Sequence, residues 1–463
     1  VPPPAPGAPK EERDAYGTYP NTLTGDNFVV KWGRSGGISE DEAEELLDAF
    51  EYAWEREVEE LAFPAPAGTD RYLFNVYIGD TGDGAPDGYG TSGYFNRDND
   101  NYPMIVVSAA TLSDMSWARG TAAHEFFHAV QDVTGRWDYT GDSAWYWEAT
   151  AMWIEGEVLE GYEEYVAFLY GYALLPHLPV YFFDYPDTGA LQEYHQYGAM
   201  IFPRYISEHA ADVDVIRDSW VEDLGEDTPQ DAIAALLADR GIDFDDAFGD
   251  FAARNAVWDY ADGELYAEWI DWYADYFRSD DHRVVAEVST EGTDGLVDAP
   301  AETLPQRLGY NHIVLERPGD TAWRIRFEGV PEGSEESDAA WRVTVVEDAP
   351  GGPVYTGIDL VDGMGEVLVG PVDGALTLVV AAVPARGRDE ETFSYAYAFT
   401  PEAVEEPTDT GDPLDSGGGV DELKDEDTGG VTLASGCGCN HGGGGHALFG
   451  AFAAAALALR RRR

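Results

Sequence analysis

The sequence predicts an α+β domain followed by an all-β, sandwich-like domain and a disordered tail. Three observations carry this reading. Up to about residue 281, apolar residues recur first at strand and then at helix spacing; from 282 to 400 they form short alternating runs separated by turn residues; beyond 400 large apolar residues almost vanish. The 463 residues suit two to three folded units, and a hydrophobic fraction of 44% is enough for a real core.

Residues 1–25 are rich in proline, glycine and polar side chains and read as an N-terminal spacer. The opening Val-Pro-Pro-Pro-Ala-Pro-Gly-Ala-Pro is expected to be the exposed start of a mature, exported protein. A first strand is predicted over 28–32. Ser39 and Glu42 form a capping box ahead of Ala43, Leu46, Leu47, Phe50, Trp54, Val58 and Leu61, which are spaced for one face of a helix. Residues 72–78 and 104–107 read as strands, with a glycine- and aspartate-rich loop, 80–101, between them. A helix is predicted from 116 to about 133, stopped by Gly135, another from 143 to 159, and several more up to Phe277. Residues 26–281 thus form the α+β domain. Apolar runs at 284–288, 312–315, 323–327, 341–346, 366–369, 376–380 and 393–399 make 282–400 the β-domain. An acidic linker, 401–435, is predicted to be disordered, and 436–463 forms a separate C-terminal segment.

With 89 acidic and 27 basic residues the net charge is -62, a surface that repels phosphates and so excludes nucleic acid as a partner class. Both cysteines, Cys437 and Cys439, lie in the last segment, so a metal in the body of the protein must be held by histidine and carboxylate.

That chemistry is present in His124-Glu125-Phe126-Phe127-His128. Inside a helix, histidines four residues apart lie on one face and can supply two corners of a zinc tetrahedron, with Glu125 beside them as general base. Catalytic zinc sites take a third protein ligand and leave one position open. Glu148, on the next predicted helix, can supply that carboxylate, and Glu155, two turns on, can accept a hydrogen bond from a liganding imidazole. Candidate oxyanion donors are His195 and Tyr197 in Glu193-Tyr194-His195-Gln196-Tyr197-Gly198-Ala199. Asp80, Asp83, Asp87, Asp98 and Asp100 are candidate calcium ligands without the EF-hand pattern.

His124-Glu125-x-x-His128 followed by Trp147-Glu148-Ala149-Thr150-Ala151-x-Trp153-x-Glu155 resembles the gluzincin metallopeptidases, whose third ligand is a glutamate on the following helix. The second segment is similar to the aminopeptidase-N-like branch, and the whole chain resembles gluzincin-type metalloproteases of myxobacteria that join this core to a β-rich domain and a sorting tail. The resemblance implies a zincin-like fold, one catalytic Zn2+, a polypeptide substrate, and ligands His124, His128 and Glu148 with Glu125 as base. Two departures stand out. Met152 occupies the position where thermolysin-like enzymes carry an aspartate, and residues 85–92, Ala-Pro-Asp-Gly-Tyr-Gly-Thr-Ser, lack the exopeptidase motif of aminopeptidases. Endopeptidase and aminopeptidase therefore both remain open.

The last segment joins Gly-Cys-Gly-Cys-Asn-His to a glycine run, an apolar stretch from 447 to 459 and four arginines. The apolar stretch falls short of the roughly 20 residues a spanning helix needs. It resembles the myxobacterial C-terminal sorting signal. That implies membrane contact before processing, cleavage near a cysteine by a sorting protease, and secretion or display at the outer membrane. Two other functions compete: a surface binding or adhesion protein with a vestigial zinc site, and a zinc hydrolase of a non-peptide substrate.

Overall fold

The computed structural model describes residues 9–14, 18–90, 92–184, 190–330, 340–384 and 391–402. The chain first builds a mixed sheet from β1 (Asn21–Thr24), β2 (Phe28–Trp32), β3 (Phe74–Gly79), β4 (Gly93–Arg97) and β5 (Pro103–Ser108), in the order β1-β2-β3-β5-β4. The three central strands β2, β3 and β5 are parallel and buried along their whole length, whereas the edge strands β1 and β4 run antiparallel to their neighbours. Continuous apolar runs mark the centre because both faces are covered.

Helix α1 (Glu40–Trp54) starts at the predicted capping box: Ser39 Oγ accepts from Glu42 N–H and the Glu42 carboxylate accepts from Ser39 N–H. The helix continues as a π-helical turn over 55–60 rather than as α-helix to Leu61. Helix α2 (Met115–Thr134) is capped by Asp114, whose side chain accepts from the Ser116 and Trp117 amides, and ends at Gly135, which takes the left-handed conformation at φ 56°. Helix α3 (Ala144–Val158) packs on α2 and is buried along nearly its whole length. Short helices α4 (Leu169–Ala173), α5 (His195–Gly198) and α6 (Ile201–Tyr205) follow, then α7 (Val213–Val221), α8 (Pro229–Asp239), α9 (Phe244–Asn255) and α10 (Gly263–Tyr276).

The second half has two sheets. One is ordered β11 (Val354–Gly357), β10 (Trp341–Glu347), β13 (Leu376–Ala382), β8 (Gly309–Leu315), β6 (Ala286–Glu287); the other β12 (Met364–Val369), β9 (Ala322–Gly329), β14 (Tyr395–Glu402), β7 (Val297–Asp298). Ile313, Val343, Leu378 and Val380 of the first share one buried core with Trp323, Ile325, Phe327, Tyr397 and Phe399 of the second. The fold is mixed α and β, with helices in the first half and sheets dominating the second.

Three expectations need correction. The spacer, 1–25, carries strand β1, and Glu11 forms a bridge with Tyr72, so the folded part begins before residue 26. The loop read over 80–101 contains β4, whose glycine and polar residues suit a half-exposed edge more than a buried run. The linker boundary at 401 moves because β14 extends to Glu402. The remainder of the linker, 403–435, and the whole segment 436–463 lie outside the described residues. Among the described residues no helix is long and apolar enough to cross a membrane.

Candidate metal centre

Helix α2 presents two faces. Phe126 and Phe127 point into the core, Phe126 with its ring 5.2 Å from Phe28 and 5.8 Å from Trp54, and Phe127 5.0 Å from Phe63. The opposite face turns His124, Glu125 and His128 into a cleft of 660 Å³. Helix α3 crosses that face and delivers Glu148: its Oε2 lies 3.3 Å from His124 Nε2 and 3.6 Å from His128 Nε2. Donors about 2.0–2.2 Å from a tetrahedral zinc stand roughly 3.3–3.6 Å apart, so both imidazole-to-carboxylate spacings suit such a site. Among the described residues this is the group of histidine and carboxylate side chains able to hold a metal ion, their donor atoms all within 4.8 Å of one another.

The other ring nitrogens are already committed. His124 Nδ1 is 2.9 Å from Glu155 Oε1, the partner expected from the sequence. His128 Nδ1 is 2.7 Å from Gln131 Oε1. The orientation of that amide follows from its other end: Gln131 Nε2 donates to the Trp147 carbonyl and to Thr150 Oγ1, both at 2.9 Å, while the Thr150 hydroxyl spends its own proton on the Tyr146 carbonyl. Gln131 oxygen can then only accept, so His128 carries its proton on Nδ1 and turns the Nε2 lone pair to the site. The second Glu148 oxygen, Oε1, accepts from Tyr139 at 2.6 Å.

Electrostatics agree with a cation-binding role. Burial would push the Glu148 carboxyl up, but the two imidazoles outweigh it and hold it far below the usual range. For His124 burial works against the charged form, yet hydrogen bonds to Glu148 and Glu155 and the nearby carboxylates lift it well above an ordinary histidine. Glu125 is raised by burial, partly offset by both histidines, and is steadied by a backbone hydrogen bond from Phe95 on β4. Gly93 makes this approach possible: a Cβ there would sit 3.0 Å from Glu125 Cγ and from Thr121 Cγ2.

Tyr197 lines the cleft, its ring 6.5 Å from that of His124. His195 does not reach the cleft and is corrected: it is fully buried between Tyr172 and Phe182, with its pKa lowered to about 3 by burial and by His177. Two residues apart on a helical turn, 195 and 197 face opposite ways, so only one of them can look at the His124–His128–Glu148 group. Met152 lines the cleft without serving either imidazole, and Glu155 takes that task. Among the described residues, the aspartates of 80–101 do not belong to the side chains grouped to hold a metal ion. Asp83 instead accepts from the Arg34 amide and guanidinium at 2.7 and 2.8 Å, and Asp98 pairs with Arg13 while capping the Asp100 and Tyr102 amides.

Sequence reasoning missed Gln131, Tyr139, Gly93 and Phe95. Gln131 was within reach of the argument, since it lies three residues after His128 and seven after His124 on the same helical face. Tyr139 and Phe95 come from a loop and an edge strand, whose approach to the site no spacing rule encodes.

No curated protein matches the chain. A solved structure of a family GH115 4-O-methyl-α-glucuronidase with specificity for decorated arabinogalactans is similar at 12% identity and a TM-score of 0.15, over 63% of this chain and 39% of that one. The chain thus spans under half the length of that structure, and a likeness at this score carries no argument. The model described as "Family of unknown function (DUF6055)" matches residues 8–397, which is most of the sequence, and the chain belongs to that family.

Proposed function

We propose that the protein is a zinc-dependent metallopeptidase of the gluzincin type, secreted or displayed at the cell surface. The single observation that carries this reading is the convergence of His124 Nε2, His128 Nε2 and Glu148 Oε2, with every other polar atom of the three side chains tied to the protein. A closed structural site would need a fourth protein donor; here the group opens on a cleft instead. Zinc held there supplies Lewis acidity that polarises a carbonyl and acidifies water.

The protein's own residues do the rest. Glu125, raised by burial, sits beside the ligands to take a proton from the attacking water and pass it to the departing amine nitrogen. Tyr197, which lines the cleft beside His124, is the residue assigned to donate a hydrogen bond to the oxyanion. Among the described residues strand β4 pairs only with β5, and its Phe95 amide reaches Glu125, so an extended polypeptide can lie along its outer edge next to the base.

The test compares wild type with Glu125→Gln on casein, with and without a chelator and zinc add-back. Loss of the base is expected to lower the rate about 10²–10⁴-fold while zinc stays bound. Undiminished activity in the variant, or in chelated protein, would remove the mechanism.

A further inference from the structure

We infer that this site cuts within polypeptide chains, and that it selects stretches with aromatic, apolar or basic side chains and rejects acidic ones. The inference rests on the metallopeptidase reading and concerns what the cleft offers to a substrate. An enzyme that reads a chain end needs a fixed group of opposite charge there: a cation for a terminal carboxylate, or a free carboxylate for a terminal ammonium.

Neither is in place near the metal ligands. No lysine or arginine lines the cleft among the described residues, so a terminal carboxylate has no counter-charge. The carboxylates of the lining are nearly all spent. Glu148 belongs to the ligand group and to Tyr139, Glu155 to His124, and Glu125 is the base. Asp132 is ion-paired with Arg97 at 2.7 Å. Asp138 is left, exposed on the loop after α2, with its carboxylate on the solvent side of the cleft lining and so not a desolvated counter-charge for an ammonium.

What remains is a wall dominated by Trp, Tyr and Phe, including Tyr94, Trp117, Trp137 and Trp147, under the field of a chain with net charge -62. Aromatic faces favour apolar and aromatic side chains by burial and cationic ones by the ring quadrupole. An acidic side chain would gain no partner and would meet the cleft's own carboxylates, a repulsion that salt screens only in part at such short range. The reaction is the addition of one water across an internal amide: oxygen joins the carbonyl carbon, the C–N bond breaks, and the new amine takes the proton.

The experiment incubates zinc-loaded wild type and Glu125→Gln with a library of twelve-residue peptides, acetylated and amidated at their ends, beside the same peptides with free ends, and identifies products by mass. Blocked and free peptides are expected to be cut at the same internal bonds, with rates within about threefold. Glutamate at either residue flanking the bond should slow cleavage at least tenfold, and 1 M NaCl should narrow but not abolish that gap. Peptide affinity for the inactive Glu125→Gln protein, read by tryptophan fluorescence, should be equally indifferent to end-blocking.

Release of single residues from free ends alone would overturn the inference while leaving a metallopeptidase. So would a loss of binding of free amino ends in Asp138→Asn, or equal cleavage of glutamate-flanked bonds. Inertness toward every peptide would overturn the inference and the underlying reading together.

Discussion

Gln131 shows how much of the proposed metal site hangs on atoms outside the ligand set itself. Its carboxamide is held by Trp147 and Thr150 so that only its oxygen faces His128, which fixes the imidazole tautomer before any metal arrives. Gln131→Leu removes the acceptor and leaves His128 free to turn or to carry its proton on Nε2. Zinc affinity is expected to fall about 10–100-fold, measured by competition with a chromogenic chelator, with the fold unchanged. An affinity equal to wild type would mean that packing alone orients the ring. Glu57 is a different residue-scale case: it lies seven positions after Phe50, on the inner face, and neither carboxylate oxygen has a hydrogen-bond partner. Burial raises its pKa well above the usual glutamate range, against an opposing effect from His124. The folded state therefore keeps a proton that the unfolded chain gives up. The stability tied to that proton is whole below the ordinary glutamate pKa and is lost as pH rises toward the raised folded value. Glu57→Met should stabilise the protein by about 1–3 kcal/mol at pH 8 and much less at pH 4, by urea titration. Equal gains at both pH values would show that the carboxyl is ionised in the fold.

At the scale of elements, the site is a crossing of two helices trimmed by an edge strand. Helix α2 spends Phe126 and Phe127 on the core so that the other three residues of its motif face α3, and β4 brings the Phe95 amide to Glu125. A second crossing sets Tyr197. Helices α4 and α5 meet backbone to backbone, because a Cβ on Gly198 would lie 2.6 Å from the Tyr172 nitrogen and 2.7 Å from the Phe168 carbonyl, and Gly171 faces the Tyr194 backbone in the same way. Backbone cannot step aside as a flexible side chain can. Gly198→Ala is expected to cost about 1–3 kcal/mol in thermal or urea unfolding. On the proposed function it should also lower the rate of peptide cleavage more than zinc affinity, since Tyr197 moves while His124, His128 and Glu148 on α2 and α3 stay. Zinc affinity falling in step with the rate would place the damage at the ligands instead.

At the scale of the molecule, the β-rich half is not an independent bead. Leu308, Tyr310, Val346, Val379, Ala381 and Val383 belong to the same buried cluster as the helices. Asn255 Nδ2 donates to the Tyr310 hydroxyl at 3.0 Å, and the Tyr310 amide donates to the Pro176 carbonyl at 2.8 Å. Helix α9 lies on β10 and β13, with Arg342 reaching back to Asp246 at 2.6 Å. A fragment ending at residue 281 would leave Tyr172, Phe248 and Phe251 without the Tyr310 ring they surround. Such a fragment is expected to aggregate or to bind a hydrophobic dye and unfold without cooperativity. A soluble, cooperatively unfolding fragment with full zinc affinity would show that the β-rich half is dispensable for the first.

The sequence by itself determined whatever depends on near neighbours along the chain. The Ser39–Glu42 cap, the stop at Gly135, the helical face shared by His124 and His128, and the buried strand runs 28–32 and 104–107 are all set by spacing within a few residues, where backbone geometry leaves little choice. Glu148 and Glu155 could be named as well, because both lie on one face of the next helix. Tertiary structure alone decided which of His195 and Tyr197 looks into the cleft, that β4 closes beside Glu125, and that Tyr139 comes back to Glu148. These are meetings between segments whose separation in sequence says nothing about their separation in space, and only the packing of the whole core chooses among the ways they could have met.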